Sequence, residues 1–120
     1  MSAIARLSAF AILALAVACG GAAGPAPATQ ARQVTIGATV TYKSFAVSPT
    51  AVEIARGQAV QWKNEDSTQH TVSGGRPGAK GPFDQKVGGG ATTQVVFETA
   101  GTFDYFCEFH PSMTGKVTVR

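Results

Sequence analysis

The sequence predicts an all-β fold, a Greek-key sandwich or barrel of about seven to eight short strands. Three observations carry that prediction. Apolar residues recur with a period of two rather than 3.6. Glycine is frequent, at 14 of 120 residues, while charged residues make up only 14%, a balance that suits strands and turns better than helices. Turn signals also separate the apolar runs at regular intervals, as in a β-sandwich.

Val34 to Tyr42 alternates and is rich in β-branched residues, so it reads as the first strand. Val52-Glu53-Ile54 is a short second one, and Arg56-Gly57-Gln58 turns the chain into Ala59–Asn64. Val60 and Trp62 share one face of that strand. The polar loop Glu65-Asp66-Ser67-Thr68 leads to His70-Thr71-Val72. Residues 74–91 are dense in Gly and contain Pro77 and Pro82; they read as a long loop with at most one short strand around Phe83. Thr92–Glu98 is a strand, Ala100-Gly101 turns it into Thr102–Phe106, and Gly115–Arg120 closes the domain with Val117 and Val119 on one face.

The first residues lie outside this pattern. Arg6 precedes an 11-residue apolar run, Leu7–Val17, broken only by Ser8. That length suits a secretory h-region and is short for a membrane span. Ala16-Val17-Ala18 fits a cleavage site, so residues 1–18 are expected to be a signal peptide. Leu15-Ala16-Val17-Ala18-Cys19 is similar to a bacterial lipoprotein box, which makes Cys19 a candidate lipid anchor. Residues 19–32, rich in Gly, Ala and Pro, read as a tether. The folded unit is expected over 33–120, outside the cytoplasm, in the periplasm or on the outer face of the cytoplasmic membrane. The whole chain carries +3, but residues 33–120 hold eight basic and seven acidic residues, a balance of +1. That is no nucleic-acid footprint, and no run of like charges marks an interaction tail. A monomer is expected.

The chemistry concentrates in one place. The expected folded unit contains one Cys, two His and one Met: His70, then Cys107-Glu108-Phe109-His110-Pro111-Ser112-Met113. One thiolate and two imidazoles make a trigonal set, and a thioether adds a weak axial contact. That donor set belongs to blue copper electron-transfer sites. Structural zinc uses more Cys or His and closes its tetrahedron without a thioether. Cys107 ends one strand and Gly115 begins the next, so a seven-residue hairpin loop can aim three ligands at one centre, with His70 supplied from elsewhere in the sandwich. Taken singly, a lone Cys or Met in a β protein is usually core filler. The four together, at this spacing, point to one copper ion.

The segment Gly101–Val117 resembles the ligand loop of cupredoxins, the type 1 blue copper proteins, and most closely of amicyanins, through C-x-x-H-P-x-M followed by x-G-K-V. Val52-x-Ile54-x-x-Gly57-x-x-Val60-x-Trp62-x-Asn64-x-Asp66 is similar to the strand pair leading to the first ligand His in that family, and the resemblance spans roughly residues 42–120. It implies an eight-stranded Greek-key barrel or sandwich and an extracytoplasmic shuttle passing single electrons between redox proteins. It implies equatorial ligation by His70, Cys107 and His110 and axial ligation by Met113, with His110 the exposed ligand. An apolar surface of Phe109, Pro111 and Pro82-Phe83 is then expected around His110 for transient docking. Two positions depart from the amicyanin and plastocyanin pattern. Thr71 stands where the family often has Asn, and its hydroxyl is expected to bridge to the ligand loop. Phe109 stands where Pro is usual; it keeps a backbone N–H, expected to donate to the Cys107 sulfur.

Three competing readings follow from the same residues. A copper chaperone or store would lose Cu(I) to chelators, where a carrier would hold it. A metal-free immunoglobulin-like module would share Tyr105 two residues before a Cys, but it lacks the second Cys across Trp62. An enzyme is not expected, because four donors leave no clear open position for substrate.

Overall fold

The computed structural model describes residues 32–120. The expected signal peptide (1–18), Cys19 and the tether to residue 31 lie outside the described residues. Arg32 is exposed and pairs with Glu98 at 3.1 Å.

Nine strands run in order: β1 (Ile36–Lys43), β2 (Ala46–Ser48), β3 (Ala51–Ile54), β4 (Ala59–Asn64), β5 (His70–Arg76), β6 (Ala79–Val87), β7 (Thr92–Val96), β8 (Gly101–Phe106) and β9 (Thr114–Val119). They form two sheets, ordered β2-β1-β4-β7 and β3-β9-β8-β5-β6. Each sheet is mixed: β1 pairs with β4 in parallel and β3 pairs with β9 in parallel, the remaining neighbours being antiparallel. The all-β sandwich expected from the period-two pattern is the fold.

The alternation works as the pleat requires. Val40 and Tyr42 of β1, Val60 and Trp62 of β4, and Val117 and Val119 of β9 are buried and meet in one core with Tyr105, Cys107 and Met113. Trp62 and Tyr105 pack edge to face at 5.2 Å, the arrangement aromatic quadrupoles favour. A second aromatic group, Phe83, Phe97 and Phe103, extends the core, with centroid separations of 5.4 and 5.3 Å.

Two elements differ from the sequence reading. Residues 74–91 are not mainly a loop: β5 runs on to Arg76, and β6 returns from Ala79 to Val87. Arg76 pairs with Ala79, so Pro77-Gly78 is the whole turn. Proline fixes φ at the first corner and Gly78 takes φ +84° at the second, as a type II turn demands. The sequence hides this strand because β6 is an edge strand exposed along most of its length, so it lacks alternation and tolerates Pro82. The short β2 was also not foreseen. It joins β1 through a two-residue turn, Ser44-Phe45, with Lys43 opposite Ala46.

Candidate metal centre

The sandwich brings four chemically distinctive side chains to one end. His70 opens β5 and is fully buried. Cys107 follows directly on β8, and the seven-residue connection to β9 carries His110 and Met113. That connection is closed by its own backbone. Cys107 N–H donates to Met113 C=O at 3.0 Å, and Met113 N–H donates to His110 C=O at 2.8 Å. Phe106 faces Thr114 across the last rung, so the loop begins and ends at a fixed separation.

One ligand atom from each of His70, Cys107 and His110 lies within 4.8 Å of the others. Both imidazoles turn Nδ1 toward the thiol: Cys107 Sγ is 3.8 Å from His70 Nδ1 and 3.9 Å from His110 Nδ1. Bonds of about 2.0 Å to nitrogen and 2.3 Å to sulfur, arranged at 120°, set those atoms about 3.7 Å apart; a tetrahedral angle sets them about 3.5 Å apart. The observed separations are a little wider than either and lie nearer the trigonal value. Met113 is 2% exposed and packs in the same core cluster as Cys107. The set therefore fits a trigonal N2S site with a thioether in the surrounding core, the chemistry that suits copper.

His70 and Cys107 are buried, and His110 is partly exposed, so the more accessible imidazole is the one expected. The two histidine rings stand edge to face at 5.1 Å, and Tyr42 packs against His70 at 5.5 Å. The Tyr42 hydroxyl donates to Thr71 C=O at 3.2 Å.

Thr71 bridges to the ligand loop twice. Its hydroxyl accepts the Glu108 N–H at 2.8 Å, as expected. Its own backbone N–H donates to Cys107 Sγ at 3.3 Å. The expected donor to the sulfur was Phe109 N–H; among the described residues the backbone donor is Thr71 instead. The reason is placement: β5 runs beside β8 and lays the Thr71 amide against the thiol, whereas Phe109 lies in the outward part of the loop, 50% exposed. The Thr71 hydroxyl also bonds Ser73 Oγ at 3.0 Å, and Ser73 Oγ donates to Asp84 Oδ1 at 2.8 Å. Lys80 bridges Asp84 and the Glu108 carboxylate, closing a ring of hydrogen bonds between β5, β6 and the loop. Glu108 is the first cause of the raised Lys80 pKa and Asp84 the second.

Three contributing residues carry roles that the sequence reading does not assign, although Asn64 and Asp66 stand in the family pattern quoted above. Asn64 is buried at the end of β4; its Nδ2 donates to the carbonyls of Thr68, Val87 and Gly88, while its Oδ1 accepts Asp66 N–H at 3.0 Å. This Asx turn shapes the loop that delivers His70, and Asn64-x-Asp66 before a polar loop was its signal. Asp66 Oδ2 lies 2.8 Å from His70 Nε2 and 3.0 Å from the Phe45 N–H it accepts, and Oδ1 accepts Ser44 N–H at 2.6 Å. These bonds, the one from Phe45 first and that of His70 next, hold the Asp66 carboxyl below the usual carboxylate range. Phe45 is 52% exposed, with its ring edge to face against His70 at 5.6 Å and His110 at 4.8 Å. Phe45 thus presents a half-exposed apolar ring beside both imidazoles. Phe83, expected there, instead turns inward onto Phe97.

The Cupredoxin-like domain family matches residues 9–119. Among characterised relatives, the chain is 36% identical over 74 residues to amicyanin-alpha of Methylorubrum extorquens, a stretch covering 58% of this chain and 60% of that protein. It is 33% identical over 82 residues to plastocyanin of Scenedesmus fuscus, covering 60% of this chain and 84% of that one. A purple cupredoxin from Nitrosopumilus maritimus superimposes with a TM-score of 0.63 at 30% identity, over 69% of this chain and 99% of that one.

Proposed function

The chain belongs to the cupredoxin-like family, and from that premise we propose that it is an extracytoplasmic carrier of single electrons holding one type 1 copper through His70, Cys107, His110 and Met113. The observation that carries this reading is the convergence of two Nδ1 atoms on one buried thiol at 3.8 and 3.9 Å. Bound copper would supply the Cu(II)/Cu(I) couple, and the protein's residues do the rest. The Cys107 sulfur and the Met113 thioether suit Cu(I), and imidazole suits both oxidation states. The loop is held by its own backbone bonds, by Thr71 and by β8 and β9. A scaffold so constrained changes little between oxidation states, which keeps electron transfer cheap. His110 is the ligand nearest solvent, and Phe45 and Phe109 give it an apolar rim suited to the small interfaces of redox partners.

Four donors leave no vacant position for a substrate, which favours a carrier over an enzyme. Location outside the cytoplasm rests on the export pattern of residues 1–18, and an anchor on Cys19 rests on its lipobox-like setting; two or more acyl chains there would hold the monomer stably on a membrane. Addition of Cu(II) to the purified protein should produce an intense visible band from thiolate-to-copper charge transfer and a reversible one-electron wave. Cys107→Ser should abolish the band. A colourless parent protein would refute the reading. Loss of Cu(I) to mild chelators during cycling would favour a copper store instead.

A further inference from the structure

The turn between β1 and β2 is unusual. Ser44 and Phe45 both take left-handed conformations, with φ of 52° and 58°. A two-residue hairpin turn with positive φ at both corners normally uses Asn-Gly or Gly-Gly, since a Cβ is disfavoured there. This chain instead places a serine and a bulky aromatic at those corners. Backbone strain of this kind persists when the surroundings over-determine it, and it concentrates at functional sites. Here the surroundings are one carboxylate. Asp66 accepts both strained N–H groups, Ser44 at 2.6 Å and Phe45 at 3.0 Å, and its Oδ2 also meets His70 Nε2 at 2.8 Å. The ring of Phe45 then lies against both histidines.

We propose that Asp66 is a positioning residue for the metal centre: it fixes the His70 ring through Nε2–H, latches the strained Ser44-Phe45 turn over both imidazoles, and so favours the oxidised ion. The electronic part of this inference rests on the copper reading above. A carboxylate accepting Nε2–H sets the tautomer that leaves Nδ1 free to coordinate, and it makes that nitrogen a stronger donor. A stronger donor and a nearby negative charge both favour Cu(II) over Cu(I). Asparagine cannot replace the arrangement. Its amide has one acceptor oxygen, so either Ser44 N–H or the pair Phe45 N–H and His70 Nε2–H faces an NH2 group, and the charge is gone.

The test has a metal-free arm and a copper arm, both on the full chain. In the metal-free protein, Asp66→Asn should speed solvent exchange of the Ser44 and Phe45 amides by about tenfold or more, the scale set by loss of a charge-assisted bond. Unchanged exchange would overturn the latch, whether or not copper binds. In the copper-loaded protein, Asp66→Asn should lower the preference for Cu(II) over Cu(I) by about tenfold, a rise of about 59 mV in a one-electron potential. An equal or lower potential in Asp66→Asn would overturn the tuning role while leaving the copper reading intact, since the parent would still be blue. Phe45→Gly separates structure from function. Glycine relieves the strained corner but also removes the ring's packing, so the readout is access rather than stability: His70 and His110 should become more accessible to solvent, read by faster relaxation of water protons at the Cu(II) protein. Unchanged water relaxation would overturn the cap.

Discussion

Thr71→Val isolates one hydrogen bond that ties the ligand loop to the sandwich. Valine keeps the β-branched shape that β5 favours and removes only the hydroxyl. The Thr71 backbone amide, which donates to Cys107 Sγ, is unaffected. The Ser73 hydroxyl keeps Asp84 as a partner. The group left stranded is the Glu108 N–H, whose acceptor at 2.8 Å is the lost oxygen. A buried donor left unpaired costs about 1–3 kcal/mol, and this part-buried one is expected toward the lower end of that range. For a domain of this size each kcal/mol lowers Tm by roughly 4–8 °C. Urea unfolding of the metal-free protein should show the midpoint moving down with an unchanged slope, the mark of a stability change alone. Thr71→Ser should do less harm, because it keeps the oxygen and gives up one buried carbon, worth about 0.8 kcal/mol. If the valine variant unfolds at the parent's urea midpoint, or the serine variant is the less stable of the two, the hydroxyl is not the tie described.

Further expectations follow from other parts of the molecule. A Cβ on Gly115 would lie 2.2 Å from Tyr105 Cζ and Oη, so Gly115→Ala must displace a rigid core ring; a loss of about 1–3 kcal/mol with altered near-ultraviolet circular dichroism is expected, and a parent-like Tm would contradict it. Burial pushes the Tyr105 phenol from 10.0 up to about 12. The folded state thus holds the neutral form that the unfolded chain gives up near pH 10, so this stabilisation is intact below pH 10 and lost as pH rises toward about 12, at about 1.4 kcal/mol per unit; stability flat across that window would refute it. Removal of copper should lower Tm, since at free copper a thousandfold above Kd the ion adds about 4.1 kcal/mol; Cys107→Ser should lose most of that gain in the same titration, and an equal gain would place the ion elsewhere.

The period-two pattern was legible wherever strands are buried on one face. Val40-Thr41-Tyr42 and Val117-Thr118-Val119 alternate in sequence and in burial. The pattern fails for β6, where an exposed edge carries no apolar period and Gly81-Pro82 imitates a loop. It fails for β2 because three residues are too few to show a period. The four candidate ligands were legible because their residue types are scarce in this chain and chemically specific. Their supports were harder to see, since Thr, Asp and Phe are common residues with many roles. Thr71 stands out in the sequence only because the family often has Asn at that position. Asp66 and Phe45 are 21 residues apart, and nothing local in the sequence says that a carboxylate on one loop holds a strained turn on another. The assignment of the sulfur's hydrogen bond to Phe109 erred for a related reason. Adjacency along the chain suggested a donor from within the loop, while the sheet supplied one from the neighbouring strand.

The most direct test is X-ray absorption at the copper edge of the loaded protein. Two imidazole nitrogens near 2.0 Å and a single short sulfur near 2.3 Å or less are expected, with the sulfur contribution vanishing in Cys107→Ser. A first shell of nitrogen and oxygen alone in the parent protein would mean that the buried thiol does not bind the ion, and the account of this centre would be wrong.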